Sequence, residues 1–112
     1  MKSQTLKENK DFRRLYYRGK SVASPCLVTY AMRSRGGVRY GITTSKKIGN
    51  AVQRNRSRRV IRAALSELEG QIGGSWDIVF VARSKTGYVK MQRVQKEMEE
   101  HFKKLGVIDE NG

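Results

Sequence analysis

Residues 46–62, KKIGNAVQRNRSRRVIR, hold seven lysines or arginines and no aspartate or glutamate. They sit inside a longer run, 12–66, with fourteen basic residues and no carboxylate at all. An imbalance of that length repels itself unless a polyanion neutralises it, so the chemistry on offer is phosphate binding. Arginine suits phosphate well, because its guanidinium fork can meet the anion with two parallel hydrogen bonds and can also stack on bases. A second set lies upstream. Phe12, Leu15 and Tyr16 recur at helical spacing, with Arg13, Arg14, Tyr17 and Arg18 around the rest of the helix. Leu15 reads as core. Phe12 and Tyr16 read either as core or as an aromatic surface that stacks on unpaired bases beside the arginines.

Hydrolytic chemistry finds little to work with. A self-sufficient nuclease needs clustered carboxylates for metal ions or a general acid–base pair. The basic half has neither, and the chain has one histidine, His101. Glu67, Glu69, Asp77, Glu97, Glu99 and Glu100 are scattered and read as helix-surface or loop residues. No GxxxxGK phosphate loop is present. No catalytic residue and no protein-held metal is therefore expected. Cys26, the one cysteine, cannot form an internal disulfide and cannot build a zinc finger with a lone histidine. It reads as a small apolar residue at a strand edge, compatible with a reducing cytoplasm.

The chain of 112 residues is long enough for one core, and its net charge of +14 points to nucleic acid or an anionic membrane. No apolar run approaches the roughly 20 residues of a membrane span, and no apolar segment follows the N-terminal charges as in a signal peptide. The expectation is a single RNA-binding domain over 1–112 with loose ends at 1–8 and 107–112, cytoplasmic, and without a membrane partner. The lack of a helix-turn-helix pair or zinc ligands favours RNA over DNA.

The elements that must position these residues follow from periodicity and punctuation. A helix is expected over 9–18, with Asn9 as N-cap and Gly19 as stop. Strands are expected at 27–33 and 38–44, joined as a hairpin by Gly36-Gly37, with a weaker strand signal at 21–23. In the first of these strands Val28, Tyr30 and Met32 share one face; in the second Val38, Tyr40 and Ile42 do. The basic stretch becomes a helix opened by Gly49 and Asn50, running to 68 or 69 and closed by Gly70. At about 100° per residue, Arg54, Asn55, Arg58, Arg59 and Arg62 share one arc with Arg56 at its edge. Gln53, Val60, Ile61, Ala64 and Leu68 share the opposite arc, with Leu65 at the seam. A merely solvated face would mix both signs at i,i+4, and here no acid appears before Glu67. Residues 76–82 form a nearly continuous apolar run, expected to be a strand buried on both faces. A last helix over 90–105 carries Met91, Val94, Met98, Phe102 and Leu105 on one stripe, with His101 beside it as a surface residue. The order predicts an α+β fold, an α/β sandwich around one sheet.

The run 45–62, with its Arg54-Asn55-Arg56 core, closely resembles the signature of the bacterial ribonuclease P protein component. Asp11-Phe12 with Tyr16 and Gly19, Tyr30 in the sheet, and residues 77–83 extend that resemblance over most of the chain. The resemblance implies one four-stranded mixed sheet with three helices and an unusual left-handed βαβ crossover (ribosomal protein S5 domain 2-like). Chirality alone argues against that hand. It also implies a non-catalytic accessory subunit of an endoribonuclease that removes the 5′ leader from precursor tRNA, with catalysis and Mg²⁺ belonging mainly to a catalytic RNA. Lys46, Lys47, Arg54, Asn55, Arg56, Arg58, Arg59 and Arg62 would contact that RNA. Phe12, Tyr16 and Tyr30 would hold the leader. Two departures are small: Tyr16 stands where Phe is also familiar, and Arg58 where Lys is frequent. The alternatives are a ribosomal or general RNA-binding module, which needs no aromatic cleft, and a self-sufficient nuclease using His101.

Overall fold

The structure, a computed structural model, describes residues 3–109. Among these residues five strands and three α-helices follow one another in the order β1 (Gln4–Thr5), α1 (Asn9–Arg18), β2 (Lys20–Ser24), β3 (Leu27–Arg33), β4 (Val38–Thr43), α2 (Ala51–Leu68), β5 (Trp76–Ala82) and α3 (Met91–Leu105). The strands form one mixed sheet in the order β1-β4-β5-β3-β2. β5 pairs antiparallel with β3 and parallel with β4, and α2 crosses between the parallel neighbours β4 and β5.

This order corrects two expectations. The sheet has five strands rather than four, because Gln4–Thr5 pairs parallel with Arg39 and Tyr40 at the edge. The strands on either side of Gly36-Gly37 are not a hairpin, since β5 lies between them. A two-residue turn spans one strand spacing, and here the connection must span two, about 10 Å. Gly36 and Gly37 still turn the chain with φ of 88° and 99°. The start of β5 fills the gap: Trp76 N donates to Gly37 O at 3.2 Å, and Ser34 N to Ser75 O at 3.1 Å. The reason is burial. Six of the seven residues of β5 are buried, and only a central position covers both faces and both edges of such a strand. The tight hairpin of the sheet is β2–β3, closed by Pro25-Cys26 between Ser24 and Leu27.

Helices cover both faces. α2 and α3 enclose the main core with Leu27, Ala31, Tyr40, Ile78 and Phe80, while Leu15 of α1 packs with Leu6 and Val79 on the other face. Phe12, Tyr30, Met32 and Val81 line that smaller cluster. α2 buries Ile61, Ala64, Leu65 and Leu68 and exposes most of its arginines, as the two arcs predict. Its N-cap is Asn50, whose Oδ1 accepts from Gln53 N at 3.0 Å, whereas Asn9 falls inside α1 and Glu8 takes the cap position without a side-chain bond. Beyond Leu68 the chain tightens into a 3-10 turn, Glu69–Gln71, that includes Gly70.

Two further expectations give way to buried polar pairs. The chain ends are packed within the described residues: Leu6, Val107 and Ile108 are buried, and Ser3 donates to Glu69. The expectation of loose ends at residues 1, 2 and 110–112 lies outside the described residues. His101 is buried, not on the surface: α3 lies against β2 and β3, and His101 Nδ1 meets Thr29 Oγ1 at 2.8 Å. Its ring nitrogen Nε2 has no hydrogen-bond partner among the described residues, and burial holds its pKa below the ordinary histidine value. Asp77 and Glu97 are also buried, each compensated by arginine. Around Glu97, Arg93 Nε donates at 2.8 Å and Cys26 N at 2.9 Å, and Ser24 Oγ donates as well. Burial alone would raise the Glu97 carboxyl. These three bonds outweigh it and hold the pKa at about 2. Cys26 itself is fully buried, and burial pushes its thiol pKa up.

Candidate nucleic-acid interface

The basic surface is built by one helix and the turn before it. Lys46 and Lys47 lie exposed on a 3-10 turn, Lys46–Ile48, whose Ile48 anchors it in the core. Gly49 follows with φ 127°, a conformation that side chains rarely adopt, and reverses the chain into α2. Asn55, Arg56, Arg58, Arg59 and Arg62 are exposed. Arg54 is half-buried, its Nη1 donating to Gly49 O at 2.6 Å. Arg58 Nη2 donates to Thr44 Oγ1 at 3.2 Å, which ties the helix face to the end of β4. None of these residues forms an ion pair with a described carboxylate. The first turn of α2 has no acidic residue, so its free amides and the nearby lysines present the same sign of field. Such an end attracts anions.

The aromatic set forms on the other face of the sheet, under α1. Tyr16 meets Tyr30 edge to face, with ring centroids 4.9 Å apart and planes at 79°. Phe12 and Tyr16 line a groove of about 370 Å³ with Asn9, Arg13 and Thr43. Phe12 lies against β4 because position 41 is glycine: a Cβ there would overlap the ring at Cζ and stand 2.5 Å from its Cε1. Tyr16 is 42% exposed and therefore free to stack.

The two surfaces meet. A cavity of about 220 Å³ is lined by Phe12, Tyr40, Gly41 and Ile42 together with Arg58 and Arg62. Arginines of α2 and an aromatic of α1 thus face one space across the β4 edge. The helix period marks Arg58 and Arg62 as neighbours, and nothing in the local pattern shows that Phe12 joins them.

Sequence reasoning missed what holds α1 in place. Asp77 of β5 accepts from Arg39 Nε at 2.9 Å and Nη2 at 2.7 Å, and from Arg14 Nη2 at 3.0 Å. Arg14 also reaches Asp11 at 3.2 Å. The bonding to Asp77 raises the Arg39 pKa further. This cluster joins α1, β4 and β5 beside the groove. A signal existed: a carboxylate within a strand buried on both faces must be paired. Among the described residues no group of three or more His, Cys, Asp or Glu comes together as a metal site, and Asp11 and Asp77 are committed to arginines.

Comparisons with known proteins follow the same lines. The profile of the Ribonuclease P family matches residues 1–106. The ribonuclease P protein component of Shouchella clausii is 37% identical over 109 residues, covering 96% of this chain and 89% of that protein. That of Listeria monocytogenes serotype 4a is 38% identical, covering 96% and 91%. The solved structure of the Staphylococcus aureus RNase P protein superposes with a TM-score of 0.83 at 34% identity, covering 96% of this chain and all of that one. The Thermotoga maritima RNase P protein superposes at 0.76 with 25% identity, covering 87% and 93%. With its signature helix, its aromatic groove and a match over nearly its whole length, the chain belongs to the ribonuclease P protein family, the accessory subunits of the endoribonuclease that processes the 5′ ends of tRNA.

Proposed function

We propose that the exposed face of α2 docks on a catalytic RNA through Lys46, Lys47, Arg54, Asn55, Arg56, Arg58, Arg59 and Arg62, while Phe12, Tyr16 and Tyr30 hold the single-stranded leader of precursor tRNA. The observation that carries this reading is the shared cavity of Phe12, Arg58 and Arg62. A strand of RNA in the groove lies within reach of the same helix that grips the larger RNA. The protein then acts as a bridge, binding the leader on one side and the catalyst on the other. Stacking serves any base, so leader binding depends only weakly on sequence.

The Mg²⁺ used in cleavage is held mainly by the RNA, and the protein's arginines lower the free metal needed to compact it. A cytoplasmic location goes with that role; no helix among the described residues is long and apolar enough to cross a membrane. The test is reconstitution with the catalytic RNA of the same source on precursor tRNA. The protein should lower the Mg²⁺ required and favour precursor over mature tRNA. Cleavage at low Mg²⁺ that is indifferent to the protein would sink the reading.

A further inference from the structure

We propose that the outer face of α1 is a second contact for single-stranded RNA, which takes the distal part of a leader after it leaves the Phe12 groove. The proposal deepens the leader reading and rests on it. Lys10, Arg13, Arg14, Tyr17 and Arg18 stand at i, i+3, i+4, i+7 and i+8, a single stripe opposite buried Leu15. They line a shallow concavity that is largely open to solvent. At its centre Tyr17 is 88% exposed, a large ring that contributes nothing to either core cluster.

The charges around the ring are only partly compensated. Lys10 pairs with Glu8, and Arg14 is shared between Asp11 and Asp77. Arg13 and Arg18 have no carboxylate within 4.0 Å among the described residues. An exposed aromatic ring between uncompensated guanidinium groups can stack a base while the flanking phosphates are neutralised, with little regard for sequence. The surface is also continuous with its neighbours. Arg13 lines both this concavity and the Phe12–Tyr16 groove. At the other end Arg18 also lines a cavity of about 410 Å³ that holds Lys20 and Arg33. A strand leaving the groove past Arg13 therefore meets Tyr17 next and cations beyond it.

The experiment uses holoenzyme assembled with the catalytic RNA of the same source, and precursors with leaders of about four and about twelve nucleotides, spanning the usual range of single-strand sites. Tyr17→Ala should weaken binding of the long-leader precursor about tenfold, within the range for losing one stacked base. Tyr17→Trp should retain it. Short-leader precursor, mature tRNA and assembly with the catalytic RNA should be unchanged. Arg13→Ala should lower the salt slope for the long leader by about 0.7, which Tyr17→Ala should not. No loss, equal loss for both leaders, or weakened assembly with the catalytic RNA would overturn the proposal. Phe12→Ala tests the groove separately, since it should weaken binding of both leaders. If it weakens neither, the groove reading fails on its own account.

Discussion

The ring of Phe12 rests on bare backbone at Gly41, where a Cβ would overlap it. Gly41→Ala should therefore push the ring out of its seat and leave the strand intact. The ring tip is the free end of a side chain, so the fold yields there first. We expect precursor binding by the holoenzyme to fall by an amount approaching that of Phe12→Ala, about 1–3 kcal/mol. Circular dichroism and thermal unfolding should change little. A Gly41→Ala protein with unaltered precursor affinity would show that the seat does not matter.

Phe12→Ala itself should separate the two surfaces. Precursor affinity falls, and affinity for the catalytic RNA stays within about twofold, or roughly 0.4 kcal/mol. Gel-shift titrations with each RNA alone and together measure both quantities.

Arg58→Glu should act in the opposite sense. It reverses a charge in the middle of the exposed face of α2, beside Thr44, and should weaken assembly with the catalytic RNA. If about five phosphates are neutralised in the unaltered complex, the logarithm of affinity falls with the logarithm of salt at a slope near −3.5 to −4.5. The variant should show a shallower slope; equal assembly at moderate salt refutes the face assignment.

Asp77→Asn removes the charge that Arg39 and Arg14 share. The carboxylate is buried and accepts three hydrogen bonds, so losing it leaves two guanidinium groups with Asp11 as their one carboxylate, an excess of one positive charge beside α1. Breaking such a pair from one side costs about 3 kcal/mol. Urea denaturation should register that loss, and α1 should lose protection in hydrogen exchange before the main core does.

Acid should destabilise the protein in two steps. The His101 pKa is lowered in the fold, so the unfolded chain takes up the proton more readily, and stability begins to fall as pH drops below 6.5. The Glu97 pKa is held at about 2 against an ordinary 4.5, so its contribution is complete above 4.5 and is lost as pH falls from 4.5 towards 2. That second step is worth on the order of 3 kcal/mol. Glu97→Gln should flatten the lower step and enlarge the upper one, because burial lowers the His101 pKa and the Glu97 charge partly offsets that. His101→Ala should remove the upper step, cost stability, and leave cleavage by the holoenzyme nearly unchanged.

The parts of this architecture that were legible in the sequence are those governed by a single period. The two arcs of α2 follow from the helical repeat, and the residues on each side are those the repeat assigns. Burial of Trp76–Ala82 on both faces likewise shows in its apolar run. Neighbour choice does not show. Nothing local to Gly36-Gly37 says that a strand about 40 residues later will enter between its flanks, because pairing order is decided by which strand most needs burial. The same gap hid the polar interior. Glu97 and His101 look like ordinary surface residues until the sheet order brings Ser24 and Thr29 beside them, and the doubly buried strand around Asp77 shows that it must be paired without naming Arg39 as the partner. Phe12 was legible as an aromatic of α1; its place beside Arg58 and Arg62 depends on Gly41, whose missing side chain carries no periodic signal at all.

The central place of β5 has a consequence for synthesis. Ribosomes deliver the chain from the N-terminus, so β3, β4 and the arginine helix all emerge before the strand that joins them. Until residue 82 is free, the two strands have no common neighbour, the apolar arc of α2 has no complete sheet to cover, and Arg39 waits 38 residues for Asp77. The basic run of 12–66 is thus complete before the sheet that its helix covers can close. Completion of the sheet therefore waits on the arrival of one seven-residue strand.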